Sequence, residues 1–173
     1  MADGVDWMLI GGGPSRDQVR VGWPWGRRCL RVGATNGGIK EAMMIDVVPA
    51  LIWLSDQTAI DAYRYRSQRF QGQGSHVLTA RGACPWADEN IPIERDRATT
   101  YQPDRWGACR FSGLMLMQYV LNRSARPLRL WLAGYDGYGD QWDAALIRPW
   151  MESVERLPGV EVAYAARPRW RDA

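Results

Sequence analysis

Residues Val5 to Ser15 read VDWMLIGGGPS, an apolar run that stops at three consecutive glycines, then Pro14 and Ser15. The run has the length and content of a buried strand, and the glycines behind it have the content of a tight turn. Glycines take backbone conformations closed to other residues and let a ligand approach bare main chain. Pro14 has its φ preset for the first turn of a helix, where a missing N–H is no loss. A helix that starts just behind a glycine turn presents free amides and the positive end of its dipole, an arrangement suited to phosphate. The same residues also serve as a plain strand-to-loop bend. Gly11, Gly12 and Gly13 are contiguous, so the spacing is not the dinucleotide fingerprint.

The rest of the chain repeats this pattern. Cys29 to Ala34 reads as a second strand and ends at Thr35-Asn36-Gly37-Gly38, with Ile39 to Met44 a brief helix or turn. Ala50 to Leu54 is a third strand, closed by Ser55-Asp56 in the position of a helix N-cap, and Thr58 to Ser67 continues at helical spacing. His76 to Thr79 is a fourth short strand. Arg81 to Arg110 contains Pro85, Pro92 and Pro103, shows no periodicity, and is expected to be a mobile cover over the carboxyl edge, with Trp86 and Trp106 offering rings to a base. Regularity returns with Ser112-Gly113 and a helix from Leu114 to Asn122 whose apolar residues share one face. Pro127 to Ala133 is the fifth strand, ended by Gly134-Tyr135-Asp136-Gly137-Tyr138. Asp143 to Leu157 is an amphipathic helix, and Val160 to Tyr164 a last strand before a basic tail, RPRWRDA.

Strands alternating with helices at this spacing argue an α/β fold with a mostly parallel, doubly wound sheet of about six strands. At 173 residues this is a single domain, taken as 1–166 with a basic tail at 167–173. In such a sheet, ligands bind beyond the carboxyl ends of the strands. Gly11 to Ser15, Asn36 to Gly38, Ser55-Asp56 and Gly134 to Tyr138 all fall there.

Composition narrows the classes. The 22 basic and 19 acidic residues leave a net charge of +3, too mild to call for nucleic acid. Three cysteines, Cys29, Cys84 and Cys109, form no C-x-x-C pair and fit a reduced, cytoplasmic protein. No signal-peptide pattern opens the chain, and no run approaches a membrane span. The oligomeric state is left open.

GGGPS after the first strand resembles the G-x-G-P-S turn that opens the small bacterial sialyltransferases and the related Rossmann-like family containing 6-hydroxymethylpterin pyrophosphokinase. FSGLMLMQYVLNRSARPLRLWLAGYDGY, residues 111 to 138, is similar to their second signature: Ser-Gly at a helix start, an apolar helix, a strand, then Gly-x-Asp with a tyrosine two positions on. Short phage and prophage proteins carry the same pair of signatures. The resemblance spans about half of the chain and implies a three-layer Rossmann-like domain that binds a nucleotide or nucleotide-sugar. On it, Gly11, Gly13, Pro14 and Ser15 surround the phosphates, with Gly12 a further binding candidate in the same turn, and Asn36 contacts ribose or base. Asp56 lies just beyond the third strand, Ser112 and Gly113 bind from the later helix, and Gly134, Asp136 and Tyr138 border the sugar or phosphate. Two departures stand out. Gly12 replaces an asparagine, and the chain has no histidine after His76 where the sialyltransferases place a catalytic one.

Asp136 is the candidate catalytic residue and metal ligand, since a carboxylate at a strand end beside glycines can hold Mg²⁺ or meet a ribose hydroxyl. A turn or capping aspartate is the alternative. His76, the sole histidine, opens a strand and is read as structural. The expected function is nucleotide-dependent transfer of a glycosyl or pyrophosphoryl group. The alternative is a protein that binds or sequesters a nucleotide without turnover.

Overall fold

The Val5–Ile10 run forms an interior strand, with both of its faces covered. Trp7 and Leu9 point into one core, and Met8 and Ile10 point into the other. The computed structural model describes residues 5–23, 31–80, 84–93, 99–106, 111–136 and 141–172. Among them are seven strands: β1 Val5–Ile10, β2 Arg31–Thr35, β3 Leu51–Leu54, β4 His76–Thr79, β5 Glu89–Asn90, β6 Leu128–Ala133 and β7 Val160–Tyr164. The helices are α1 Gly37–Met44, α2 Gln57–Gln71, α3 Ser112–Arg123 and α4 Gln141–Glu155, with short 3-10 helices at Pro14–Val21 and Arg169–Arg171.

The strands form one sheet in the order β5-β4-β3-β2-β1-β6-β7, and every pairing is parallel. The sheet is therefore doubly wound as expected, with one strand more than expected. The addition is β5, two residues inside the proline-rich segment that pair with Leu78 and Thr79. On one face, Met8, Ile10, Val32, Ala34, Ile52 and Leu54 pack against Ile39 and Ala42 of α1, Ala59, Ile60 and Phe70 of α2, and Val19 of the first 3-10 helix. On the other, Trp7, Leu9, Trp53, Leu78, Leu130 and Leu132 meet α3 and α4. Helices on both faces of a parallel sheet make three layers.

The order in which strands are added reverses between β1 and β6. From β1 the chain winds outward through β2 to β5, then returns to place β6 on the other side of β1. That reversal is the switch point at which open α/β sheets form a crevice.

Three segments read from the sequence take on definite surroundings in the structure. Of the segment expected to be a mobile cover, residues 99–106 lie along α3, and residues 84–90 pack at the β4 edge of the sheet. Gln118 Nε2 donates to the carbonyls of Gln102 and Arg105, Asn122 Nδ2 to that of Pro103, and the Tyr101 hydroxyl to Asn122 Oδ1 at 2.6 Å. This coat explains why α3 is buried on every side from Ser112 to Leu121, where the sequence suggested a single apolar face. The loop tryptophans are also packed. Trp106 lies against Tyr119, Trp23 makes an edge contact with Trp131, and Trp86 adjoins the second core. The segment expected to be a basic tail is docked, with Trp170 buried against α4 and its carbonyl accepting two hydrogen bonds from Arg148.

A polar network ties β5 to β4 and α3. Glu89 Oε2 is shared by His76 Nε2 and the Tyr119 hydroxyl at 2.8 Å, and Glu89 Oε1 accepts from Arg123 at 3.0 Å. Burial, reinforced by the hydrogen bond to Glu89, pushes the Tyr119 phenol up to about 12. A phenol whose folded value exceeds its unfolded value of roughly 10 adds stability that is complete below that pH and is lost as pH rises toward 12. The difference in melting temperature between the parent and Tyr119→Phe is therefore expected to narrow from pH 9 to pH 11. A constant difference would contradict the assignment.

Candidate functional site

The glycine turn and the end of β6 are joined by a close approach of two main chains. Gly11 N–H donates to the Ala133 carbonyl and Gly13 N–H to that of Gly134, both at 2.8 Å, so the β1–β6 pairing runs on past the strands. A Cβ on Gly11 would sit 2.6 Å from the Gly134 carbonyl oxygen. A Cβ on Gly134 would sit 2.6 Å from that of Gly11, and Gly134 has φ +75° as well. Both positions require glycine. Gly12 differs: a side chain there would meet nothing nearer than 3.6 Å, and its free face looks toward Asn36 and Gly37.

Ser15 and Asp136, 121 residues apart, lock this junction. The Ser15 amide donates to both carboxylate oxygens of Asp136, at 3.0 and 3.2 Å. Its hydroxyl donates to Oδ1 at 2.6 Å and accepts from the Gly134 amide at 2.9 Å. Both residues are buried. Asp136 thus closes the N-terminus of the 3-10 helix at Pro14, the position where the sequence suggested phosphate. Among the described residues no three carboxylate, histidine or cysteine side chains come together to hold a cation. In this arrangement Asp136 caps the Ser15 amide.

The helix termini at this edge divide into two groups. The 3-10 helix is closed by Asp136, and α2 by Asp56, whose Oδ1 accepts from the Ala59 amide at 2.8 Å. In contrast, α1 and α3 begin with Asn36 and Phe111, neither of which makes a side-chain cap. Asn36 has φ +51°, an uncommon value for a residue with a side chain. Gly38, in the first turn of α1, is pressed so close to β1 that a Cβ would fall 2.0 Å from the Ile10 carbonyl oxygen. That packing draws the start of α1 down onto the strand ends.

Arg16, to which the sequence pattern assigns no role, belongs to this group. Its Nη1 donates to the carbonyls of Gly12 and Gly13 at 2.7 and 3.1 Å, Nε lies 3.7 Å from Glu41 of α1, and the guanidinium runs beside Gly37. Its place directly after GGGPS was the available signal. Ser55, at the end of β3, accepts a 2.6 Å hydrogen bond from Ser112 at the start of α3. Gly113 is held under the ring of Tyr135, whose hydroxyl donates to the Gly113 carbonyl at 2.9 Å, so its lack of a side chain serves packing. Tyr138 lies outside the described residues. His76 opens β4 at the opposite edge of the sheet.

Comparison with solved structures places this architecture among pyrophosphokinase folds. The chain superposes on thiamine pyrophosphokinase from Bacillus subtilis with a TM-score of 0.51 at 12% identity. It superposes on that from Geobacillus thermodenitrificans with a TM-score of 0.50 at 16% identity. Each comparison covers 92% of this chain and 59% of the other, so the chain spans about three fifths of the length of these structures. The similarity is one of fold, a Rossmann-like α/β architecture shared with these two structures. No known family model matches the sequence, and no curated protein matches it. No helix among the described residues is long and apolar enough to cross a membrane.

The capping role of Asp136 is open to a double-mutant cycle in the absence of nucleotide and metal. Asp136→Asn and Ser15→Ala are each expected to lower stability by about 1–3 kcal/mol, the cost of disrupting a buried charged hydrogen bond. Their effects should couple by about 0.5–3 kcal/mol. Additive effects in chemical denaturation would contradict the cap and return Asp136 to ligand contact.

Proposed function

We propose that the carboxyl edge binds the phosphates of a nucleotide and that the protein transfers a pyrophosphoryl group. One observation carries this reading. The 3-10 helix and α2 are closed by the chain's own aspartates, whereas α1 and α3 reach the same edge without a side-chain cap, beside Arg16 and the bare backbone of Gly12. Helix N-termini and a guanidinium fork are the usual means of holding phosphate oxygens. The site is thus centred on Gly12, Asn36, Gly37 and Arg16, with Ser112 on the far side. Gly11, Ser15, Gly134 and Asp136 build the junction that supports it.

Pyrophosphoryl transfer is preferred to glycosyl transfer because the fold is shared with thiamine pyrophosphokinases. In such a step an acceptor hydroxyl attacks the β-phosphorus of a nucleoside triphosphate. The bond between that phosphorus and the α,β-bridging oxygen breaks, and the nucleoside monophosphate leaves. Fixed donors aimed at the phosphate oxygens stabilise the charge that develops. The second reading is nucleotide binding without turnover, in keeping with the position of the sole histidine at the opposite edge. Glycosyl transfer from a nucleotide-sugar by a phage-type enzyme is the other transfer chemistry for the same site, and the resemblance of the two sequence signatures is what supports it.

A thermal-shift panel of nucleoside triphosphates and nucleotide-sugars, run with Mg²⁺ and with chelator, tests the reading. Ligand at about a hundred times its Kd should add about 2.7 kcal/mol, or roughly 5–10 °C in a domain of this size. Gly12→Val, for which the fold has room, should abolish the shift. Arg16→Gln should weaken it at least tenfold in apparent affinity. Stabilisation by no nucleotide, or full binding by Gly12→Val, would refute the site. Release of nucleoside monophosphate upon addition of acceptor alcohols separates the transferase from the binding protein.

A further inference from the structure

The amino edge of the sheet carries a second concavity, at the far end of β1 and β2 from the glycine turn. A cleft of about 530 Å³ is lined by Val5 and Trp7 of β1, Arg31 at the start of β2, Leu51 of β3, and Tyr119 and Arg123 of α3. Small-molecule sites fall in the range of about 300–1,000 Å³, so this cleft is of ligand size.

Its lining combines two chemistries. Val5, Leu51 and the rings of Trp7 and Tyr119 give apolar and aromatic walls, while Arg31 and Arg123 bring two guanidinium groups. Arg123 is already engaged, with Nη2 donating to Glu89 and its guanidinium carbon 3.8 Å from the centre of the Tyr119 ring. Arg31 is exposed and has no carboxylate partner among the described residues. Its guanidinium faces the Trp7 ring, 6.0 Å away. The Trp7 indole nitrogen is buried and has no hydrogen-bond partner, whereas buried indole N–H groups ordinarily have one.

We propose that this cleft is a binding site for a small aromatic carboxylate, with its ring against Trp7 and Tyr119 and its carboxylate on the Arg31 fork. A phosphate group would bring more charge than these apolar walls and one unpaired guanidinium accommodate. A neutral aromatic would leave that guanidinium unused. A planar carboxylate matches the fork in a two-pronged contact. The walls are set in advance, because Glu89 holds the Tyr119 hydroxyl at 2.8 Å and Arg123 at 3.0 Å, so few side chains need ordering when a ligand enters. Along β1, Trp7 lies roughly 13 Å from Gly11 of the glycine turn, four residues on at about 3.3 Å per residue. The two sites are therefore physically distinct.

The test is a titration of the ¹⁵N-labelled chain with indole-3-acetate and, in parallel, with its uncharged amide. The indole N–H resonance of Trp7 is identified by its loss in Trp7→Phe. Indole-3-acetate is expected to move that resonance saturably, and the amide to bind at least tenfold more weakly. Arg31→Gln, a change at an exposed position, should reduce the affinity for the acetate to that for the amide. Gly12→Val should bind the acetate as the parent does. A Trp7 resonance that stays in place or moves without saturation would overturn the proposal. So would an amide that binds equally well, an unaffected Arg31→Gln, or loss of binding in Gly12→Val.

Discussion

The structure depends on how closely β1 and β6 approach one another where both strands end. Their pairing is continued by hydrogen bonds from Gly11 and Gly13, and there is no room for a side chain on either Gly11 or Gly134. Ser15 and Asp136 then close the junction with a buried carboxylate that receives two amide contacts and a hydroxyl. A buried carboxylate is costly unless its oxygens are satisfied, and here a helix N-terminus satisfies them. The consequence is spatial. With the first helix closed, the uncapped helix start beside the junction is that of α1, where Arg16, Gly12 and Gly37 gather.

This arrangement separates support from contact within one motif. In VDWMLIGGGPS, the outer members Gly11 and Ser15 bind the turn to β6, and the middle glycine faces the strand ends of β2. On the opposite layer, Ser112 and Ser55 tie the start of α3 to the end of β3, and the Tyr135 ring seals the gap over Gly113. The edge is thus framed on both faces of the sheet by short contacts that leave its middle open.

Much of the fold is legible in the sequence because its signals are local. The apolar runs of β1, β3 and β6 are bounded by glycine or Ser-Asp, and α2 and α4 carry helical spacing. What is not legible lies in long-range pairing. Asp136 reads equally as a ligand contact or as a cap, and only its meeting with Ser15 across 121 residues decides its partner. The two residues of β5 are too few to show a period, and α3 looks amphipathic until residues 99–106 are seen to coat its outer side. Trp170 sits among arginines, which suggests a solvated tail, yet its ring fills the space beside α4. Arg16 carries no spacing signal of its own, and its role emerges only where its fork meets the carbonyls of Gly12 and Gly13.

Amide chemical-shift mapping of the ¹⁵N-labelled chain during titration with a nucleoside triphosphate decides whether the carboxyl edge is a phosphate site. Binding there predicts saturable shifts at Gly12, Gly37, Gly38 and the first amides of α3, with the Arg16 side chain tracking the same curve. The Ser15 amide, held by Asp136, should move little. Shifts confined to other regions, or a Ser15 amide that gives up Asp136 for the ligand while Gly37 and Gly38 stay still, would contradict the proposed site.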